Sequence, residues 1–340
     1  MSREWMIWFK DGTAILLRSN FLKLLFLTVM LGQAATVFAA PSTALQPIPE
    51  PQMQGPVKID LGKRLFEEPM LSKNLSTSCS SCHQLKNAGV DNLPRYLTMD
   101  KKPGAVNTPS IFNSSLNFRQ FWDGRAKTIA DVVNDHVSDK TIFDNNWPSI
   151  VEKIGKNTLY DNDFKIAYPE GVTQETINDA LKSYIDNLLT SKSKFDLYLK
   201  GDKTALTNDQ LKGYRLFRKY GCATCHQGPN IGGNLYQRMG VYKNYFADKG
   251  TIEKADLGLF NVTGKEEDKF YFKVPSLRNI SLTGPYLHDG SVKTLPEMIQ
   301  IMGVYQVGQP IRTEEADSIA QFLQSLNAKP LERLVNTSEE

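Results

Sequence analysis

Cysteine and histidine are scarce in this chain, with four of each among 340 residues. Neither sign of charge dominates: 40 Lys and Arg stand against 37 Asp and Glu, a formal balance of +3, so composition gives no reason to expect nucleic acid as a partner. The apolar run at residues 24–38, broken by Gly32 and Gln33, is about 15 residues, short of the roughly 20 that a membrane span needs. No stretch sustains the alternation of a strand. The class that remains is mainly α, with long functional loops.

The few cysteines are not scattered. All four fall in Cys79-Ser80-Ser81-Cys82-His83 and Cys222-Ala223-Thr224-Cys225-His226. In Cys-x-x-Cys-His the two thiols can form thioether bonds to the vinyl groups of a haem, and the adjacent histidine is placed to bind the iron. Disulfides, a thioredoxin-like redox pair and half of a zinc site are the competing readings. None of these requires a histidine directly after the second cysteine, and the zinc reading needs the two distant pairs brought together. Two covalently bound haem c groups are therefore expected, one through Cys79, Cys82 and His83, the other through Cys222, Cys225 and His226. No thiol is left over for catalysis.

The chain reads as exported. Residues 1–39 have the basic start, apolar centre and small-residue Val37-Phe38-Ala39 ending of a cleaved signal peptide, an uncleaved anchor being the alternative. Either one places the haem chemistry in the periplasm. Residues 40–56 are proline-rich and aperiodic, as in an extended linker. Beyond them the sequence divides into an N-terminal haem domain at 57–196, a C-terminal haem domain at 197–330 and a tail at 331–340.

The two domains look duplicated. Gly62-x-Arg64-Leu65-Phe66 precedes the first haem motif as Gly213-x-Arg215-Leu216-Phe217 precedes the second, the latter in a helix opened by a Thr207/Gln210 capping box and followed by Gly221. Pro109-Ser110-Ile111-Phe112-Asn113, Trp122-Asp123-Gly124 and Thr128-Ile129 recur as Pro275-Ser276-Leu277-Arg278-Asn279, His288-Asp289-Gly290 and Thr294-Leu295 at a constant offset of 166 residues. Amphipathic helices are expected over residues 173–189 and after Thr313, which would cap a face of Ala316, Ile319, Ala320 and Leu323. A Thr294/Glu297 capping box would open a helix carrying Met302. Met302 is either core packing or the thioether opposite His226, which would make a high-potential electron-transfer haem.

These motifs together resemble the bacterial di-haem cytochrome c peroxidase family, which includes the methylamine-utilisation enzymes. Phe121-Trp122-Asp123-Gly124-Arg125-Ala126 and Tyr286-Leu287-His288-Asp289-Gly290 carry the likeness, which covers about residues 55–328. The resemblance implies that the first haem reduces hydrogen peroxide. The second, held by His226 and Met302, would take electrons from a small c-type cytochrome or a cupredoxin. It also implies Trp122 between the haems, a calcium ion at Asn107 and the backbone carbonyls of Thr283 and Pro285, and a homodimer.

The departures from that pattern are specific. The loop histidine that covers the first haem in the family corresponds to Met99, a weak alternative iron ligand on the polar 97–103 loop, expected to be mobile. The glutamate that assists O–O cleavage corresponds to Ile142, which cannot move a proton. His136, thirteen residues after Asp123 as Met302 is thirteen after Asp289, stands over the first iron by the logic of the duplication, where relatives have proline. It is a sixth iron ligand, a distal base or a satisfied helix histidine. His288 reads as a propionate or near-haem contact; Arg125 and Arg278 as propionate partners or salt-bridge formers. The lysine-rich runs 192–203 and 243–273 read as solvated faces. Peroxide reduction is the expected function, with oxidation of a partner protein's side chain and plain electron carriage as alternatives.

Overall fold

The computed structural model describes residues 6–8, 14–16 and 44–335. It divides into Met1–Thr43 and Ala44–Glu340. In the first unit, strands β1 (Met6–Trp8) and β2 (Ala14–Leu16) pair antiparallel. The rest of the expected signal or anchor lies outside the described residues. Among the described residues no helix is long and apolar enough to cross a membrane.

The second unit is mainly α. Its principal helices are α1 (Pro56–Glu67), α2 (Ile129–Ser138), α3 (Trp147–Lys156), α4 (Thr158–Ala167), α5 (Gln174–Ile185), α6 (Asn208–Lys219), α7 (Leu295–Met302) and α8 (Thr313–Gln324). Short turns and loops join them, with one two-stranded antiparallel sheet of β3 (Tyr236–Arg238) and β4 (Tyr271–Lys273). The helix starts are written locally: Pro56 stands at the first position of α1, and Thr128, Thr173 and Thr207 accept backbone N–H bonds at the starts of α2, α5 and α6.

Two apolar cores form. One gathers Leu65, Phe66, Val133, Phe164, Leu181 and Tyr184 from the first half; the other gathers Phe195, Phe217, Ile231, Ile299, Ile319 and Phe322 from the second. Each is built on one close helix crossing. A Cβ at Gly62 of α1 would sit 1.9 Å from the Ala180 carbonyl oxygen of α5, and a Cβ at Gly213 of α6 would sit 1.9 Å from the Ser318 oxygen of α8. Only glycine permits that approach. The repeat extends to the backbone. Asn113 and Asn279 both take left-handed φ, 60° and 58°, as do Phe121 and Leu287, at 66° and 68°.

Three expectations need correction. Residues 44–55 are extended, but they are not a free linker. Leu45 and Ile48 are buried, Leu45 joins the second core and pairs with Gly228, and the Ile48 N–H donates to Asp196 Oδ1. Of the tail, residues 331–335 pack on the first core, where Leu334 is buried and its carbonyl accepts from Tyr184 Oη. A stretch without periodicity can still dock by one or two apolar side chains, and that is why composition missed both. The helix-start details also shift: Arg312, not Thr313, precedes α8, because its carbonyl is the first to accept helical N–H bonds, from Glu315 and Ala316. At α7 Thr294 accepts from the Glu297 N–H at 3.4 Å, and only that half of the box is present.

Candidate haem sites

Both Cys-x-x-Cys-His motifs fold into the same turn. Cys79–Cys82 is a single helical turn, and Cys222–Thr224 a tighter one; in each the histidine N–H donates to the first cysteine's carbonyl at 2.9 Å. That bond places the histidine ring beside both thiols. The four cysteines are free, which removes the disulfide reading, and the two pairs sit against separate cores, which removes a shared zinc site. Burial pushes the Cys79 thiol up to about 12 and Cys82 and Cys222 up to about 11, so all three stay neutral.

His83 Nδ1 lies 3.2 Å from the Gly89 carbonyl, which directs Nε2 outward; burial lowers the ring's pKa. Burial also brings His226 down to about 4, and its buried Nδ1 has no hydrogen-bond partner of good geometry. His226 faces a cavity of about 560 Å3, lined mainly by apolar groups, whose wall includes Cys222, Cys225, Trp122, Met298 and Met302. A neutral imidazole whose Nδ1 lacks a well-placed partner, the thiols of Cys222 and Cys225 and a thioether around an apolar cavity of this size fit a haem. Met302 ends α7, where the backbone widens into a π-turn at Gly303–Val307. Met298, one helical turn earlier, shares the cavity wall, so sequence spacing alone did not single out Met302.

On the first side, α2 carries His136, itself half-buried, into an aromatic stack. Its ring lies parallel to Phe121 at 5.4 Å and edge-on to Phe143 at 6.3 Å, and Nδ1 lies 2.9 Å from the Val132 carbonyl. That contact puts the proton on Nδ1 and leaves the lone pair on Nε2. Burial, then proximity to His83, lowers its pKa to about 4, so the ring is neutral near pH 7. His83 is thus among the groups that act on His136, and Phe143, which His136 meets edge-on, belongs to the first core. Ile142 packs against the first core and brings no acid there. Met99 is half-buried. The loop around it is pinned rather than loose, through Met99 N–H to Thr141 O at 2.9 Å, Thr98 N–H to Lys102 O at 2.9 Å and the Leu97–Pro103 bridge.

Trp122 stands between the halves. Its Nε1–H donates to the Asn107 carbonyl at 2.9 Å, its own carbonyl accepts from the Lys273 N–H at 3.0 Å, and its ring meets His288 edge-on at 6.4 Å. The Asn107 N–H in turn donates to the His288 carbonyl at 2.7 Å. Asn107, Thr283 and Pro285 all line the same cavity as Trp122. Asn107 Nδ2–H donates to the Leu93 carbonyl, which turns Oδ1 the other way.

The remaining polar candidates are already paired. Arg125 bridges Asp135 at 3.1 Å and Asp123 at 3.2 Å and lies 3.5 Å over the Phe121 ring, completing an Arg125–Phe121–His136 sandwich. Arg278 is buried against Asp196 at 2.9 Å. His288 is buried and bonded through Nε2 to Asp256 at 2.7 Å, and Lys249 bridges Asp256 and Asp289. Of the two readings offered for Arg125 and Arg278, the salt-bridge one is what the side chains make here, and His288 likewise has a carboxylate partner. Asp135, Asp196, Asp256 and Lys249 escaped notice because none belongs to a local motif. Lys249 and the buried Lys273 also show that the 243–273 run is not wholly solvated.

With this geometry in place, comparison with known proteins is informative. Residues 56–204 match the model of the family described as di-haem cytochrome c peroxidase. The chain is 39% identical over 303 residues to cytochrome c peroxidase Ccp of Escherichia coli, covering 87% of this chain and 65% of that longer protein. It is 38% identical over 294 residues to the cytochrome c551 peroxidase of Nitrosomonas europaea, covering 86% of each. Among solved structures it is similar to a MauG-like protein associated with microbial copper homeostasis, with a TM-score of 0.73 and 26% identity, covering 88% of this chain and 97% of that one. The fold and the paired sites define a haem oxidoreductase of the peroxidase type. The chain belongs to the di-haem cytochrome c peroxidase family, and its cofactors are haems.

Proposed function

We propose that this protein reduces hydrogen peroxide in the periplasm, drawing electrons from a small c-type cytochrome or cupredoxin. Two electrons and two protons convert one peroxide to two waters. The haems, attached through Cys79/Cys82 and Cys222/Cys225, supply iron that takes up and passes on single electrons. His226 and Met302 would hold the second haem, which would then accept electrons from outside. Trp122, held at both ends of its residue by hydrogen bonds to Asn107 and Lys273, offers a fixed aromatic step toward the His83 side. Asn107 Oδ1 and the carbonyls of Thr283 and Pro285 make an oxygen set suited to calcium beside that step.

The observation that carries the reading is His136: half-buried, neutral, with Nδ1 engaged by Val132 and Nε2 left as an acceptor near His83. A ring in that state can take a proton from the near oxygen of peroxide and return it to the leaving oxygen, the work a glutamate could do at the position Ile142 now holds. The low basicity favours the return step. The test is His136→Ala in the haem-loaded protein. Peroxide reduction with a reduced cytochrome should fall by about 10²–10⁴, with the first haem's resting spectrum unchanged. Undiminished turnover would overturn the base assignment. A new high-spin ferric signal would instead identify His136 as an iron ligand, the reading its free Nε2 also favours.

A further inference from the structure

Two of the lysines and arginines among the described residues are buried, Lys273 and Arg278. Arg278 has Asp196 and three further oxygen contacts. Lys273 is the opposite case. It ends β4, it is 6% exposed, and it lines the cavity that His226 faces, together with Trp122 and Met302. Among the described residues its ammonium meets no carboxylate and no hydrogen-bond acceptor. Burial alone acts on it and lowers its pKa to about 8, with no opposing charge.

An ammonium largely withdrawn from water without a partner is costly, and an anion arriving in the cavity that Lys273 lines would offset that cost. The cavity takes a haem on the reading given above, and a haem carries two propionate carboxylates. Mainly apolar walls cannot neutralise them. The cations that sequence spacing offered for the task, Arg125 and Arg278, are spent on Asp123, Asp135 and Asp196, and His288 is spent on Asp256.

We propose that the Lys273 side chain is the counter-ion of a propionate of the second haem, fixing that haem's edge against the strand whose backbone N–H holds the Trp122 carbonyl. The inference rests on the haem reading of this cavity. It makes Lys273 a positioning residue with an electrostatic role. A fixed positive charge beside the macrocycle stabilises the reduced state, which has one positive charge fewer, and so raises the potential of the haem that accepts outside electrons.

The test uses the full haem-loaded chain with Lys273→Met and Lys273→Arg. Covalent haem is counted by pyridine haemochrome, and the second haem is titrated potentiometrically. Two haems per chain are expected in both variants. In Lys273→Met the reduction equilibrium should move at least tenfold toward the oxidised form, which is about 59 mV for one electron. Lys273→Arg should stay within threefold of the unsubstituted protein. An unmoved equilibrium in Lys273→Met with two haems bound overturns the proposal, whereas one haem per chain in the unsubstituted protein overturns the haem reading itself. If Lys273→Met does not accumulate, resonance Raman decides on the soluble pair: propionate bending modes should shift between the unsubstituted protein and Lys273→Arg, and identical modes overturn the pairing.

Discussion

Removing Asp196 should be far more damaging than its place outside every sequence motif suggests. Asp196 and Arg278 have fully buried side chains 2.9 Å apart. Asp196 Oδ1 also accepts from the Ile48 N–H at 3.0 Å, while Oδ2 accepts from the Ser193 N–H at 3.0 Å and the Ser193 hydroxyl at 2.6 Å. Arg278 donates onward to the carbonyls of Pro229 and Gln46, each at 2.9 Å. One pair thus joins the 44–55 strap, the turn before helix Lys194–Leu199 and the loop after the second haem motif. Asp196→Ala leaves a guanidinium buried without its charge partner, which costs about 3–5 kcal/mol. Against a typical total of about 5–15 kcal/mol, that is roughly a fifth or more of the stability. The expected measurement is urea unfolding of the haem-loaded protein followed by circular dichroism, with the midpoint falling accordingly. The double variant Asp196→Leu/Arg278→Met removes both charges, so its loss should be smaller than the sum of the two single losses by more than about 1 kcal/mol. A single-variant loss under about 1 kcal/mol, or strict additivity, would refute the claim that the charges depend on each other.

Two further outcomes follow from packing and charge. Gly62→Ala and Gly213→Ala each drive a methyl to 1.9 Å from a backbone oxygen, so each should cost about 3 kcal/mol or more, against about 1 kcal/mol returned by helix propensity; equal or higher melting temperatures would show that the helices part without cost. Burial raises the Asp289 pKa, but Lys249 outweighs it and holds the carboxyl at about 2, below its ordinary 3.8. That stabilisation is present above about pH 4 and is lost as pH falls toward 2, on the order of 2 kcal/mol. Thermal melts across that window should therefore fall more steeply for the unsubstituted protein than for Lys249→Met, and parallel slopes would contradict the assignment.

What could be read in advance divides by range. Cys79-x-x-Cys82-His83 and its copy are legible because covalent attachment dictates contiguous residue types, and the duplication is legible because a constant offset survives in the chain. Capping by Thr207 and burial of Ile177, Leu181, Ala316 and Ile319 follow from local periodicity. The carboxylates that pair with Arg278 and His288 were not legible for the opposite reason. Asp196 reaches Arg278, and Asp256 reaches His288, across long loops whose path no local pattern encodes. The docking of Leu45 and Leu334 was hidden in the same way. A single apolar side chain in an aperiodic stretch carries no signal until its pocket exists.

Duplication also explains where the halves had freedom to part. The glycine crossing, the left-handed asparagine and the turn before the Asp-Gly corner are backbone solutions; altering any of them disturbs a core, and both halves keep them. The side chain thirteen residues beyond the corner bears on no such crossing. One copy holds Met302 at the end of a helix, half-buried on an apolar cavity. The other holds His136, clamped between Phe121 and Phe143 with its Nδ1 engaged and Arg125 beyond the stacked ring. A thioether has no proton to give or take, and an imidazole has both an acceptor and a donor nitrogen. On the proposed reading, a single divergence on a retained frame would be enough to turn a pair of equivalent haem sites into one that passes electrons and one that also handles protons.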